Sequence, residues 1–230
     1  KIMGLKDYLM LEGMALRIVP YKTPSSAQTA ILMGKVDTDL MYANMVGTKE
    51  KPGKFKWGNF DKKDFFINES YMPSVHSLQY GFVRLTDALI REGDKERAES
   101  TIDKFFESFP HMNFPYEQSR MSLQGIRFYL VELKSEETEK KAKVHMDILK
   151  DALIDRLSFY GSLTSLDDQR AFEPEMRERV GMVQQLMQFV SLTSDENYKS
   201  EMIESLTIVK APVEATVTNL EQMRKNGQFL

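Results

Sequence analysis

There is no cysteine in the chain, which excludes disulfides, thiolate zinc sites and cysteine nucleophiles. Apolar runs are short, far below the roughly 18–20 residues needed to span a bilayer. Net charge is nearly absent, −3 over 230 residues with a pI near 5.8. It gives no electrostatic reason to expect nucleic acid or anionic lipid as a partner. The basic clusters Lys49–Lys56 and Glu139–Lys143 lie among compensating acids and read as solvated loop and helix face.

Chemistry-bearing patterns are equally sparse. The histidines are His76, His111 and His145, and none has a ligand partner at the spacing that puts two on one helix face. Glycines at Gly93 and Gly227 are isolated turns, not a phosphate loop, and no Gly-x-Ser-x-Gly elbow occurs. Acidic pairs such as Asp37 with Asp39, Glu136 with Glu137, and Asp167 with Asp168 read as helix caps or solvated turns. Acid–base chemistry would need two acids facing each other across a cleft. No catalytic residue, metal or cofactor is therefore expected. The start at Lys1, without a basic segment and a long apolar one, predicts an excised region of a longer protein and shows no signal peptide.

Helical periodicity fills most of what is there. Residues 1–67 are the irregular part: a short apolar helix-like run, an extended stretch up to Pro20, and a Pro/Ser turn at Thr23–Ser26. A helix capped by Asp37, Thr38 or Asp39 follows, with Leu40, Met41 and Met45 on one face and Gly47 as its stop. From Asn68 the spacing predicts helix almost without interruption. Val75, Leu78, Phe82, Leu85 and Leu89 form one stripe, beginning near Pro73. Ala98, Ile102, Phe105 and Phe109 form the next, closed by Pro110.

Leu123, Ile126, Leu130 and Leu133 predict a third helix, and the positions from Ala142 through Met146, Leu149, Leu153 and Leu157 to Tyr160 a longer one. Gly161–Pro174 reads as a polar connection. Val180, Val183, Met187 and Val190 mark a further helix, and Tyr198, Met202, Leu206 and Val209 another, capped by Ser194 or Asp195. Ala211-Pro212 is expected to break it, leaving a short helix to about Lys225. The expectation is an all-α chain of antiparallel helix hairpins, with 1–67 packed on one continuous helical unit, 68–230. Most of the fifteen methionines then serve as adaptable core filler, as at Met10, Met41, Met146 and Met187.

One hairpin carries a repeat signature. Phe82, Leu85, Thr86 and Leu89 occupy the first helix, Gly93-Asp94 the turn, Ala98 the close contact of the second helix and Pro110 its end. This resembles the tetratricopeptide repeat, with two departures: Thr86 stands where glycine is usual, and Phe105 where alanine is. Both larger residues should widen the helix crossing. A second hairpin, about Gln118–Tyr160, keeps Ala142 but lacks the Gly-Asp turn. An array of such repeats offers a concave helical face.

Ordered blocks extend the likeness. "DYLMLEGMALRIVPYK", then "VDTDLMYANMV", "KFKWGNF" and "INESY", resemble the soluble C-terminal region of a domain-of-unknown-function family of bacterial multi-pass membrane proteins related to protein O-mannosyltransferases. The likeness covers most of the chain, most strongly from Asp7 to about Pro110. It implies a preceding membrane part resembling lipid-linked-sugar glycosyltransferases, with helical repeats on the periplasmic side of the inner membrane. The family's catalytic acid would lie in the membrane part, so no catalytic residue carries over to this chain.

An aromatic loop is the one stretch above background. Phe55, Trp57, Phe60, Phe65 and Phe66, with Tyr71 soon after, either pin the N-terminal segment onto the first hairpin or form a contact surface. Asn68-Glu-Ser matches a glycosylation acceptor but reads as a helix start. The function expected is non-catalytic: a protein-interaction or scaffold domain holding a polypeptide near a membrane enzyme. The alternative is a glycan- or lipid-head-group-binding module that uses Phe55, Trp57, Phe60 and Tyr71.

Overall fold

The computed structural model describes residues 4–23, 34–63 and 65–227. The expected turn at Thr23–Ser26 lies outside them beyond its first residue. Among the described residues the chain is all-α apart from three short strands, and it divides into two compact units, Lys1–Phe114 and Pro115–Leu230. The irregular N-terminal segment thus shares the first unit with the repeat-like hairpin.

The first unit opens with a 3-10 turn at Leu5–Tyr8, then strands β1 (Leu9–Leu11), β2 (Leu16–Ile18) and β3 (Lys35–Val36), in sheet order β2-β1-β3. β1 runs antiparallel to β2, pairing Leu9 with Ile18 and Leu11 with Leu16, and parallel to β3. The helix expected in the apolar run around Leu9 is therefore a strand. Leu9, Met10 and Leu11 are all buried. A central strand covered on both faces shows no alternation and reads like a buried helix turn.

Helix α1 (Thr38–Met45) is capped by Asp37, whose carboxylate accepts the Leu40 N–H at 3.1 Å. Met41 and Met45 are buried, whereas Leu40 is 39% exposed and lies off their face. Gly47 adopts φ 72°, and a Cβ there would meet the Gly53 nitrogen at 2.3 Å, so only glycine fits this turn.

Helices α2 (Met72–Arg91) and α3 (Lys95–Ser108) pack on each other around Gly93. Gly93 sits at φ 82°. Its N–H bonds the Ile90 carbonyl at 3.0 Å and the Asp94 N–H bonds that of Leu89 at 2.9 Å, the paired closure of a Schellman motif. The Asp94 carboxylate then accepts the Arg97 N–H at 3.0 Å and caps α3. One dipeptide ends one helix and begins the next. Phe82, Leu85, Leu89 and Ala98 are all buried at the packed faces. α1 seats its methionines on α2 at Gly81, where an added Cβ would lie 3.5 Å from the Met41 and Met45 methyls.

The second unit contains α4 (Met121–Arg127), a π-helical turn (Phe128–Leu133), α5 (Glu136–Gly161), α6 (Leu166–Ala171), α7 (Glu173–Val190) and α8 (Glu196–Lys225). α5 starts in a reciprocal cap: the Ser135 hydroxyl accepts the Thr138 N–H, and the Thr138 hydroxyl accepts the Ser135 N–H. Ala142, Met146, Leu149, Leu153 and Leu157 are fully buried, and α5, α7 and α8 each pack against the other two.

Three expectations for this unit need correction. The helix carrying Leu130 and Leu133 passes from α to π winding at Phe128 and ends at Lys134 in a left-handed conformation, φ 48°. The connection Gly161–Pro174 contains α6, which has no buried residue and hence no apolar stripe to betray it. Pro212 does not break α8. A proline inside a helix costs about 3 kcal/mol, but Val213, Val217 and Leu220 bury on its C-terminal side. Both Pro212 and Ile208, whose carbonyl loses its partner, lie on the exposed side where water can serve that oxygen.

Candidate functional site

The aromatic residues of the N-terminal segment converge on the α2–α3 hairpin. Trp57 is half-buried, its ring 5.1 Å from that of Phe82 and 5.6 Å from that of Phe109, with Phe55 edge-on at 5.9 Å. Phe60 lies 5.0 Å from both Phe65 and Phe114 and 5.8 Å from Phe109. Phe66 and Tyr71 stay outside, 83% and 65% exposed. Thus Phe55, Trp57 and Phe60 come together on the hairpin, and Tyr71 does not join them. Pro110 is half-buried just after α3.

The loop is held from both ends. Gly58 (φ 50°) and Asn59 (φ 68°) turn the chain so that the Phe60 N–H meets the Trp57 carbonyl at 3.2 Å. The Asn113 amide donates to the Phe60 and Lys62 carbonyls at 2.6 and 2.9 Å. Between this turn and the end of α3 lies a groove of about 300 Å³, lined by Trp57, Phe60, Asp61, Lys104, Glu107 and Ser108 among others. Lys104 and Glu107 pair at 2.9 Å. The Trp57 indole nitrogen and the Ser108 hydroxyl are buried and have no hydrogen-bond partner. Sequence reading singled out Trp57 but missed Lys104, Glu107 and Ser108, which carry no signal outside the fold.

A second surface lies on β2. The Glu12 N–H bonds the Ala15 carbonyl at 3.1 Å and the Val19 N–H bonds the Tyr8 carbonyl at 2.8 Å. Odd-numbered residues of this strand therefore face β1, and Leu16 and Ile18 turn their main-chain groups to the outer edge. Among the described residues no strand pairs with that edge. Leu16 and Ile18, alternate positions on one face of β2, are 39% and 61% exposed, and Met14, in the bend before the strand, is 60% exposed.

Several other polar groups are tied into structure. His145 faces the Tyr116 hydroxyl at 3.2 Å and stacks on Tyr129, and burial raises the Tyr116 phenol well above its usual range. Glu173 is buried and held by Arg177 at 2.6 Å and by Arg224, linking the start of α7 to the end of α8. Asp39 bonds Arg97, Glu136 bonds Lys140, and Asn68 caps the turn into α2. Among the described residues no group of three His, Asp or Glu is disposed to hold a metal, and no helix is long and apolar enough to cross a membrane. No protein family, curated protein or solved structure matches the chain.

Proposed function

We propose that the chain is a non-catalytic protein-interaction domain, the scaffold part of a membrane glycosyltransferase-like protein facing the periplasm. It takes an extended polypeptide with apolar residues at alternate positions. The observation that carries this reading is the outer edge of β2, which no described strand pairs, and the exposed Leu16 and Ile18 on it. An added strand would gain main-chain hydrogen bonds from the edge and side-chain pairing from these two residues. A bare apolar edge is otherwise a hazard for uncontrolled association. The repeat-like turn at Gly93-Asp94 and the sequence blocks that resemble the mannosyltransferase-related family support the scaffold context.

A phage-displayed library of short random peptides, selected on the 230-residue chain, tests the strand edge. Peptides with alternating apolar residues should be enriched, and Ile18→Lys should lose them without moving the melting temperature. Peptides that bind Ile18→Lys equally well would end this reading, as would a chain that sediments as a dimer closed through β2. The membrane context is checked separately by the complete reading frame, where about a dozen upstream apolar spans are expected.

A further inference from the structure

Two residues that line the groove beside Trp57 each carry a buried, unmet hydrogen-bonding group. Ser108 is 4% exposed and its hydroxyl has no partner; the Trp57 indole N–H is likewise buried and unmet. Leaving such a group bare costs about 1–3 kcal/mol. Other hydroxyls of this hairpin avoid the cost by bonding one turn back, Thr86 to the Phe82 carbonyl at 2.9 Å and Thr101 to that of Arg97 at 2.7 Å. Ser108 makes no such bond. Both residues line the same groove.

We propose that this groove binds one neutral sugar ring of hexopyranose size. Its volume of about 300 Å³ is at the lower end of small-molecule sites, enough for a single ring. Trp57 and Phe60 supply apolar wall for the C–H face of the ring. The indole N–H requires an acceptor, the Lys104 ammonium is a second donor, and the Asp61 and Glu107 carboxylates are acceptors. A sugar hydroxyl both donates and accepts, so it satisfies either kind.

Two carboxylates against one ammonium leave the lining net negative, which disfavours phosphate, sulfate or an anionic lipid head group. The Asn113 clamp on Phe60 and Lys62 holds the turn in place beforehand, so little ordering is left for the ligand to impose. This site does not depend on the β2 edge, and either can fail without the other.

Trp57 is the only tryptophan, so the chain gives a single indole N–H resonance. Titration with methyl glucoside, methyl mannoside, methyl galactoside and N-acetylglucosamine at millimolar concentrations should shift that resonance saturably for at least one of them. Inorganic phosphate and phosphocholine should leave it in place. Ser108→Ala should weaken binding of the responding sugar about tenfold, the effect of one hydrogen bond. It should not lower the melting temperature, because it removes an unmet group. An indole resonance that no neutral sugar moves, or that phosphate moves as far, overturns the proposal. So does a Ser108→Ala chain that binds the sugar as tightly.

Discussion

Arg97 and Asp39, 58 residues apart, meet at 2.7 Å from guanidinium Nη1 to carboxylate Oδ1. The same guanidinium bonds Asp94 at 2.6 Å through Nε and lies over the Tyr42 ring at 5.5 Å. Beside it the Thr38 hydroxyl donates to Glu92 at 2.8 Å. Helix α1 is thereby fastened to the turn that joins α2 and α3. Asp39 is 84% exposed, so solvent screens the pair. A double-mutant cycle of Asp39→Ala and Arg97→Ala should give a coupling below about 1 kcal/mol that shrinks in high salt. A larger, salt-insensitive coupling measured by urea unfolding would mean that the bridge acts as a buried one.

Asp94 links stability to pH. The hydrogen bonds it accepts from the Arg97 backbone and side chain hold its carboxyl below the usual aspartate range. Its stabilising effect is therefore complete above that range, and it is lost as pH falls through the lower folded-state value. Urea unfolding from neutral pH to about pH 2.5 should show stability falling in acid for the native chain. Asp94→Asn keeps a capping oxygen but cannot titrate, and should flatten that part of the profile. Identical acid slopes in the two chains would remove Asp94 from the account.

Trp57→Ala separates anchoring from display. Packed on Phe82 and Phe109, the indole should be missed by the core, at about 3 kcal/mol in unfolding free energy. A melting temperature unchanged by the substitution would instead make Trp57 a surface residue.

Pro212→Ala should raise stability. It restores an N–H to the helix and removes the ring's clash with the preceding turn, without touching Val213 or Val217 on the buried side. The gain should be about 1 kcal/mol or more. Thermal unfolding checks this, and a lower melting temperature would show that the neighbouring helices have adapted to the proline.

Much of the helical scaffold is legible in the residues alone because its causes are local. The stripe through Phe82, Leu85 and Leu89, the stop and start at Gly93-Asp94, and the run from Ala142 to Leu157 each follow from 3.6-residue spacing or capping chemistry. The failures have causes that act across the chain. β1 shows no alternation because neighbours bury both its faces, α6 has nothing to bury, and α8 runs through Pro212 because its C-terminal half is packed. For the groove, sequence supplied Trp57 and Phe60 but not Ser108, which lies 51 residues from Trp57 and shares its groove only after folding.

The amino-acid order by itself determined that this is a chain of amphipathic helices without cysteine chemistry, since periodicity, caps and composition are properties of near neighbours. Tertiary structure alone decided which edge of β2 no described strand covers, which aromatic rings become core and which polar atoms are left unmet. Those outcomes depend on contacts between residues far apart in the chain, and no local preference encodes them.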